Sequence, residues 1–110
     1  MDTNRLDLFR GTLDVLILKS LIWGPLHGYS ITDFIRRQSE DVLLVEEGTL
    51  YPALWRLEGK GLVEAEWGLS ETNRRVRFYK LTRDGRKQLE REVAEYAQAT
   101  TAIRAILRTA

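Results

Sequence analysis

The feature that most constrains the fold is an abrupt change of hydrophobic period between residues 49 and 81. Three leucines of residues 49–60 recur at intervals of four and three, the spacing of one helix face: Leu50, Leu54 and Leu57. After Gly59 and Gly61, apolar residues alternate with glutamates, which is the period of a strand. A second alternating run follows the turn-forming residues SETN, so the two runs predict a β-hairpin. A helix followed directly by a two-stranded ribbon is therefore expected.

Two more helices are predicted upstream, over residues 8–23 and 29–38. Gly24 and Pro25 are the stop signals of the first. This helix is apolar on two sides, with Leu8, Val15 and Leu18 on the second side, so it has two faces to bury. One face can pack in its own domain and the other against a second subunit.

Pro52 bears on where the third helix begins. Proline is tolerated in a first helical turn, because the amides there have no helical acceptor. We therefore expect this helix to start near Gly48 or Thr49, with Thr49 as its N-cap.

The C-terminal residues read as one long helix that begins after Thr82, a good N-cap candidate. Its apolar seam steps by four and three residues: Leu89, Val93, Tyr96, Thr100, Ile103 and Leu107. The seam extends about 27 Å at 1.5 Å per residue. It lies either along a second copy of the chain or back on its own domain. Three short helices and a hairpin offer little surface of that length, which favours the dimer.

These elements predict a mainly α fold with a small β-hairpin. The order of three helices and a ribbon is that of a winged helix-turn-helix. We expect residues 1–81 to form this domain and residues 82–110 to form a dimerisation helix, as one compact unit with the first helix.

Positive charge is gathered in one segment, although the net charge is only +1. Residues 1–73 carry 7 Lys and Arg against 12 Asp and Glu, whereas residues 74–87 carry 7 against Asp84 alone. A local basic patch attracts polyanions whatever the global sum. The alternative interpretation is that residues 74–87 form an ordinary solvent-exposed corner between a strand and a helix, with no charged partner.

Several chemistries are excluded by composition. The chain has no cysteine and one histidine, His27, so disulfides, thiolate sites and histidine clusters are ruled out. No nucleophile–base arrangement and no phosphate-binding glycine loop occurs. We therefore expect no enzyme activity, cofactor or metal site. The N-terminus lacks the pattern of a signal peptide and no stretch is long enough to span a bilayer, so a cytoplasmic location is expected.

In a helix-turn-helix the second helix of the pair enters the major groove, which here is the helix of residues 49–60. Its outward side chains are large and rigid. Tyr51 either contacts DNA or seals the core edge, and Trp55 either contacts DNA or packs under the hairpin. The DNA surface predicted from this geometry comprises Thr49, Tyr51, Pro52, Trp55, Arg56, Arg74, Arg75 and Arg77.

Four ordered motifs carry a family resemblance: RGTLDVLILKSL, GPLHGYSI, EGTLYPALWRLEGKGLVEAEW and RRVRFYKLTRDGRKQL. Over about residues 10–89 the chain resembles the PadR family of bacterial transcriptional regulators, in its short subfamily with a single C-terminal helix. The resemblance implies a homodimeric repressor of a palindromic operator. It implies that the GTLYP motif (residues 48–52) starts the recognition helix, that Tyr29 of the HGY motif touches the DNA backbone, and that the wing is basic. The resemblance therefore adds Tyr29, Ser30 and Gly48 to the predicted DNA surface.

Some members of that family carry an aromatic residue on the last helix, beside a dimer cavity that holds flat drugs or phenolic acids. Tyr96 occupies the corresponding place, and Val15 and Leu18 would complete the cavity. On physical grounds alone Tyr96 is a seam residue.

A different class of function also stays open, a winged-helix module that binds an acidic protein rather than DNA, with Trp55 as its hot spot.

Overall fold

The computed structural model describes the backbone of residues 3–110 and the side chains of residues 12–110. Leu8, predicted at a dimer surface, therefore lies outside the described side chains. The elements are, in chain order, α1 (Thr3–Ser20), β1 (Leu26–His27), α2 (Gly28–Gln38), α3 (Glu47–Gly59), β2 (Val63–Leu69), β3 (Arg75–Leu81) and α4 (Arg83–Leu107). The predicted fold is confirmed: a winged helix followed by a long C-terminal helix.

The sheet has three antiparallel strands in the order β1-β3-β2. The predicted hairpin is confirmed, with Val63 opposite Leu81 and Leu69 opposite Arg75. Sequence reasoning missed β1, because two residues are too few to show a period of two. This strand joins the start of α2 to the wing by pairing Leu26 with Tyr79.

The predicted start of α3 is wrong. The amides of both Thr49 and Leu50 bond to the carbonyl of Glu46, at 2.9 Å each, so Glu46 is the N-cap rather than Thr49. Pro52 consequently lies inside the helix, beyond its first turn. Its missing N–H leaves the carbonyl of Gly48 without a helical donor. Helix α1 also ends earlier than predicted, because residues 21–24 form a turn that ends at Gly24, whose φ is +146°.

The predicted cap of α4 is confirmed. Thr82 Oγ1 accepts a hydrogen bond from the Gly85 amide at 2.9 Å and donates to the Gly61 carbonyl at 2.7 Å. One hydroxyl thus starts α4 and ties it to the segment that ends α3.

At Val15 and Leu18 the second apolar face of α1 is covered by the chain's own helices rather than left for a second subunit. Helix α1 packs against α2, α3 and α4. Val15 and Leu18 are buried in the core, as is Leu89 of α4. A side chain already buried in its own chain has no surface left for a partner. These three residues therefore belong to the core of the single chain, which corrects their expected place at a free surface.

The rest of the α4 seam leaves the core. Val93, Tyr96, Ile103 and Leu107 are exposed, and Thr100 is half-buried. The alternative in which the whole seam packs back on its own domain is therefore wrong for the described residues. Among those residues, no helix combines the length and the apolar character that crossing a membrane requires.

Candidate nucleic-acid interface

Helix α3 turns an aromatic face to solvent. Its inward positions are the buried Leu50, Ala53, Leu54 and Leu57. On the outward face Tyr51 is 43% exposed and Trp55 is 78% exposed, with Pro52 and Gly48 also exposed and Thr49 half-buried. Trp55 therefore does not pack beneath the hairpin. It borders an open groove of about 420 Å³ between α3 and β3, which Glu58 and Arg77 also line.

Tyr51 connects α3 to the start of α2. Its ring lies against Gly28, where a Cβ atom would meet the phenol hydroxyl and would lie 2.8 Å from Cζ. Glycine at position 28 thus leaves room for the ring. Burial, with a contribution from the Glu47 carboxylate, raises the pKa of Tyr51. The hydroxyl therefore stays protonated at neutral pH and can donate a hydrogen bond.

The start of α2 presents a second polar surface. Its N-cap is His27, which makes no side-chain cap, and its first turn contains no acidic residue. The His27 ring lies 6.4 Å from the ring of the exposed Tyr29 in a stacked arrangement, and its Nε2 lies 3.2 Å from Ser30 Oγ. Uncapped amides at a helix N-terminus favour a bound anion. The first turn of α3 carries Glu47 instead, so the α2 terminus suits a phosphate better.

Arg56 turns away from the outward face of α3. Its Nη2 donates to Asp14 Oδ1 of α1 at 2.6 Å, and both side chains are largely buried. Burial raises the pKa of Asp14 even though the Arg56 guanidinium opposes this effect. The charge of Arg56 is thus matched inside the chain, and the pair ties α3 to α1. Arg56 still lines the groove beside Trp55, so its expected contact with DNA stays a prediction for a residue whose charge is already paired.

The three wing arginines are not equivalent. Arg74 is exposed in the turn between β2 and β3, and Arg75 is exposed at the start of β3. Arg77 lies further from the tip, where its Nη2 donates to Glu58 Oε2 of α3 at 3.1 Å. Arg77 therefore has an acidic partner on another element of the fold, although none lies near it in the sequence.

Sequence reasoning missed three residues that shape this surface: Asp14, Glu58 and Trp67. The carboxylates lie 42 and 19 positions from their arginine partners, so local spacing could not reveal the pairs. Trp67 could have been found, because the hairpin register sets it directly opposite Arg77. Among the described residues no three His, Asp or Glu side chains group as a metal site would require.

The chain is similar in sequence and fold to known proteins. A transcriptional regulator from Clostridium thermocellum is 32% identical with a TM-score of 0.84, over 93% of this chain and 99% of that one. A PadR family transcription regulator from Clostridium difficile R20291 is 31% identical with a TM-score of 0.74, over 86% of this chain and 97% of that one. An uncharacterized protein of Lysinibacillus sphaericus is 32% identical over 86% of each chain.

The sequence pattern of the transcriptional regulator PadR-like family matches residues 17–91, which includes α2, α3, both wing strands and the start of α4. The chain belongs to the PadR-like family of transcriptional regulators.

Proposed function

We propose that this regulator is a homodimeric, sequence-specific DNA-binding repressor of a palindromic operator. The observation that carries the proposal is the outward face of α3. Two large aromatic side chains, Tyr51 and Trp55, lie there in contact with solvent instead of being buried in the core. Phenol groups bond to phosphates, and apolar surfaces meet thymine methyl groups in the major groove. The uncapped start of α2 and the arginines at the wing tip flank this face and supply the phosphate contacts.

Dimerisation through α4 is proposed from its exposed seam. Val93, Tyr96, Ile103 and Leu107 recur at heptad spacing and leave an apolar stripe open to solvent. Such stripes are buried when two helices pack along each other. A two-fold dimer would present two copies of α3, and an operator with half-sites roughly 34 Å apart would receive them on one face of the duplex.

The effector in this proposal is a small flat apolar or aromatic molecule that relieves repression. Tyr96 supports it, because its ring is 54% exposed on the proposed dimer surface. Val15 and Leu18 are buried in the core and would reach such a molecule only after the packing around α1 rearranged. A molecule bound between two α4 helices would change their separation and with it the spacing of the two α3 helices.

A second candidate function is a protein-binding winged helix that does not contact DNA. The exposed indole of Trp55 favours it, since tryptophans in open grooves are frequent hot spots of protein interfaces. In that case Trp55→Ala would abolish partner binding, and a random-sequence duplex would show no salt-sensitive affinity.

The DNA proposal is tested by titration of the protein into two duplexes at two salt concentrations. One duplex is a fragment selected from genomic DNA by its binding, and the other has random sequence. Tyr51→Phe removes only the hydroxyl and Tyr51→Ala removes the ring. Tyr51→Ala should weaken binding of the selected fragment far more than binding of the random duplex, because the ring meets thymine methyl groups and non-specific affinity comes mostly from phosphate contacts. Tyr51→Phe loses only a bond to phosphate and should weaken binding of both duplexes.

Arg75→Ala should lower the magnitude of the slope of log affinity against log salt by about 0.9, the value for one lost phosphate contact. Arg91→Ala, an exposed arginine of α4, is the charge-matched control and should leave the slope unchanged. Equal affinity of wild type and Tyr51→Ala for the selected fragment would count against α3 as the recognition helix.

A further inference from the structure

The wing also exposes a tryptophan, Trp67, to which the DNA contacts proposed above assign no part. Trp67 lies on β2, directly opposite Arg77, and its side chain is 57% exposed. The guanidinium carbon of Arg75 lies 4.7 Å from the centre of an indole ring, and that of Arg77 lies 5.9 Å away. Both arginines therefore lie within the range of a cation–π contact with the same side chain.

The two arginines differ in what else they contact. Arg77 also bonds to Glu58 and lies 5.8 Å from the ring of Tyr79, so it is held from three sides and its charge is matched. Arg75 is exposed, and no carboxylate of residues 12–110 lies within ion-pair distance of it. Within residues 12–110 the indole is the side chain that restricts its position, and its charge is available to a polyanion.

Restriction of Arg75 matters for binding because a free arginine side chain samples many rotamers. That freedom is lost when the guanidinium binds a phosphate, and the loss weakens the complex. An aromatic face that already restricts the guanidinium reduces the loss while leaving its N–H groups free. The pairing of Arg77 with Glu58 holds the base of the wing against α3 without Trp67, so the indole acts mainly at the tip.

We propose that Trp67 is a positioning residue for DNA binding, which acts through Arg75 by holding its guanidinium toward the phosphate backbone. This role rests on the DNA-binding function proposed above. It predicts that the effect of removing the indole depends on whether Arg75 is present.

The test is a double-mutant cycle on the full chain, with fluorescence anisotropy of a labelled random-sequence duplex at low salt. Trp67→Ala should weaken binding about fivefold, the upper value for an exposed cation–π contact. In the Arg75→Ala background the same change should have no measurable effect. Trp67→Phe keeps an aromatic face and should restore affinity to within about twofold of wild type.

Trp23→Ala is the matched control. Trp23 is 71% exposed, and Lys19 Nζ lies 5.3 Å from its ring, but it lies in the turn after α1 rather than on the wing. Its removal should leave the affinity unchanged. Equal losses from Trp67→Ala with and without Arg75, or no recovery in Trp67→Phe, would overturn the role of Trp67 alone. Failure of the unaltered chain to bind any duplex would overturn the proposed function and this role together.

Discussion

Alanine at Gly28 should weaken operator binding strongly while barely changing the stability of the fold. Gly28 is the first residue of α2, and the ring of Tyr51 occupies the space where a methyl group would point. The new Cβ would lie 2.8 Å from Tyr51 Cζ and closer still to the hydroxyl oxygen. Non-bonded carbon atoms settle at about 3.5 Å or more, so the tip of the ring must move by roughly 1 Å.

A displacement of this size is enough to break a hydrogen bond. An O–H···O bond is about 2.7 Å long, and 1 Å more takes it outside the bonding range. Loss of a hydrogen bond to a charged phosphate costs about 1.5–3 kcal/mol, which corresponds to roughly 10- to 100-fold weaker binding. The fold loses little, because Tyr51 is partly exposed and can swing outward. Alanine also favours helix over glycine by up to about 1 kcal/mol.

The assay compares anisotropy titrations of the genome-selected duplex with urea unfolding of the same samples. Gly59→Ala is the control, since a methyl group there meets no atom within 4 Å and the position lies at the exposed end of α3. Because the methyl group acts through the Tyr51 ring, Gly28→Ala should cause no further loss of affinity in the Tyr51→Ala background. Wild-type affinity of the Gly28 variant, or a loss that persists without Tyr51, would refute it.

Three further outcomes are expected. Gly85→Ala should destabilise the fold by roughly 3 kcal/mol in urea unfolding, because the methyl group would strike the backbone carbonyl of Leu62; a loss below about 1 kcal/mol would contradict the packing. Burial raises the pKa of Asp14, so the folded chain holds that proton more tightly than the unfolded chain. The free energy of unfolding should therefore fall as pH rises from 3.8, the ordinary pKa of an aspartate, through the raised pKa of Asp14. Asp14→Asn should remove this decrease; a difference in unfolding free energy between the two proteins that did not change with pH would contradict the prediction. Ile103→Glu should make the chain monomeric in sedimentation experiments. Ala105→Glu should not, because position 105 is rotated by about 200° around the axis of α4 from position 103. If both variants remained dimeric, the apolar seam would not be the dimer interface.

Much of the fold could be read from residues close together in the chain. The three leucines of α3 give a helical period, and the apolar–glutamate alternation of β2 gives a strand, because the geometry of each element repeats within a few residues. The hydroxyl of Thr82 caps α4 through an amide three positions away. The start of α3 was predicted too late in the chain, because Pro52 was expected in the first turn of the helix. It lies beyond that turn, inside the helix.

Which side chains belong to the candidate site depended on contacts between residues far apart in the sequence. The sequence indicated that Tyr51 and Trp55 lie on the outward side of α3, since the helical period shows both that the segment is a helix and which of its side chains face away from the core. It could not indicate that Arg56, on the same helix, turns to Asp14. A long flexible side chain follows whichever partner the fold brings near, and that partner lies on α1.

The sequence by itself thus determined the helices, the hairpin, the cap of α4 and the basic character of the wing, because short-range periodicity and charge act within one element. Only the tertiary structure decided which arginines are free. Packing of α1, α3 and β3 brings carboxylates to Arg56 and Arg77 and leaves Arg75 with the Trp67 indole. It also decided that Val15 and Leu18 are buried in the chain's own core, since the folded path of the chain sets what each apolar face meets.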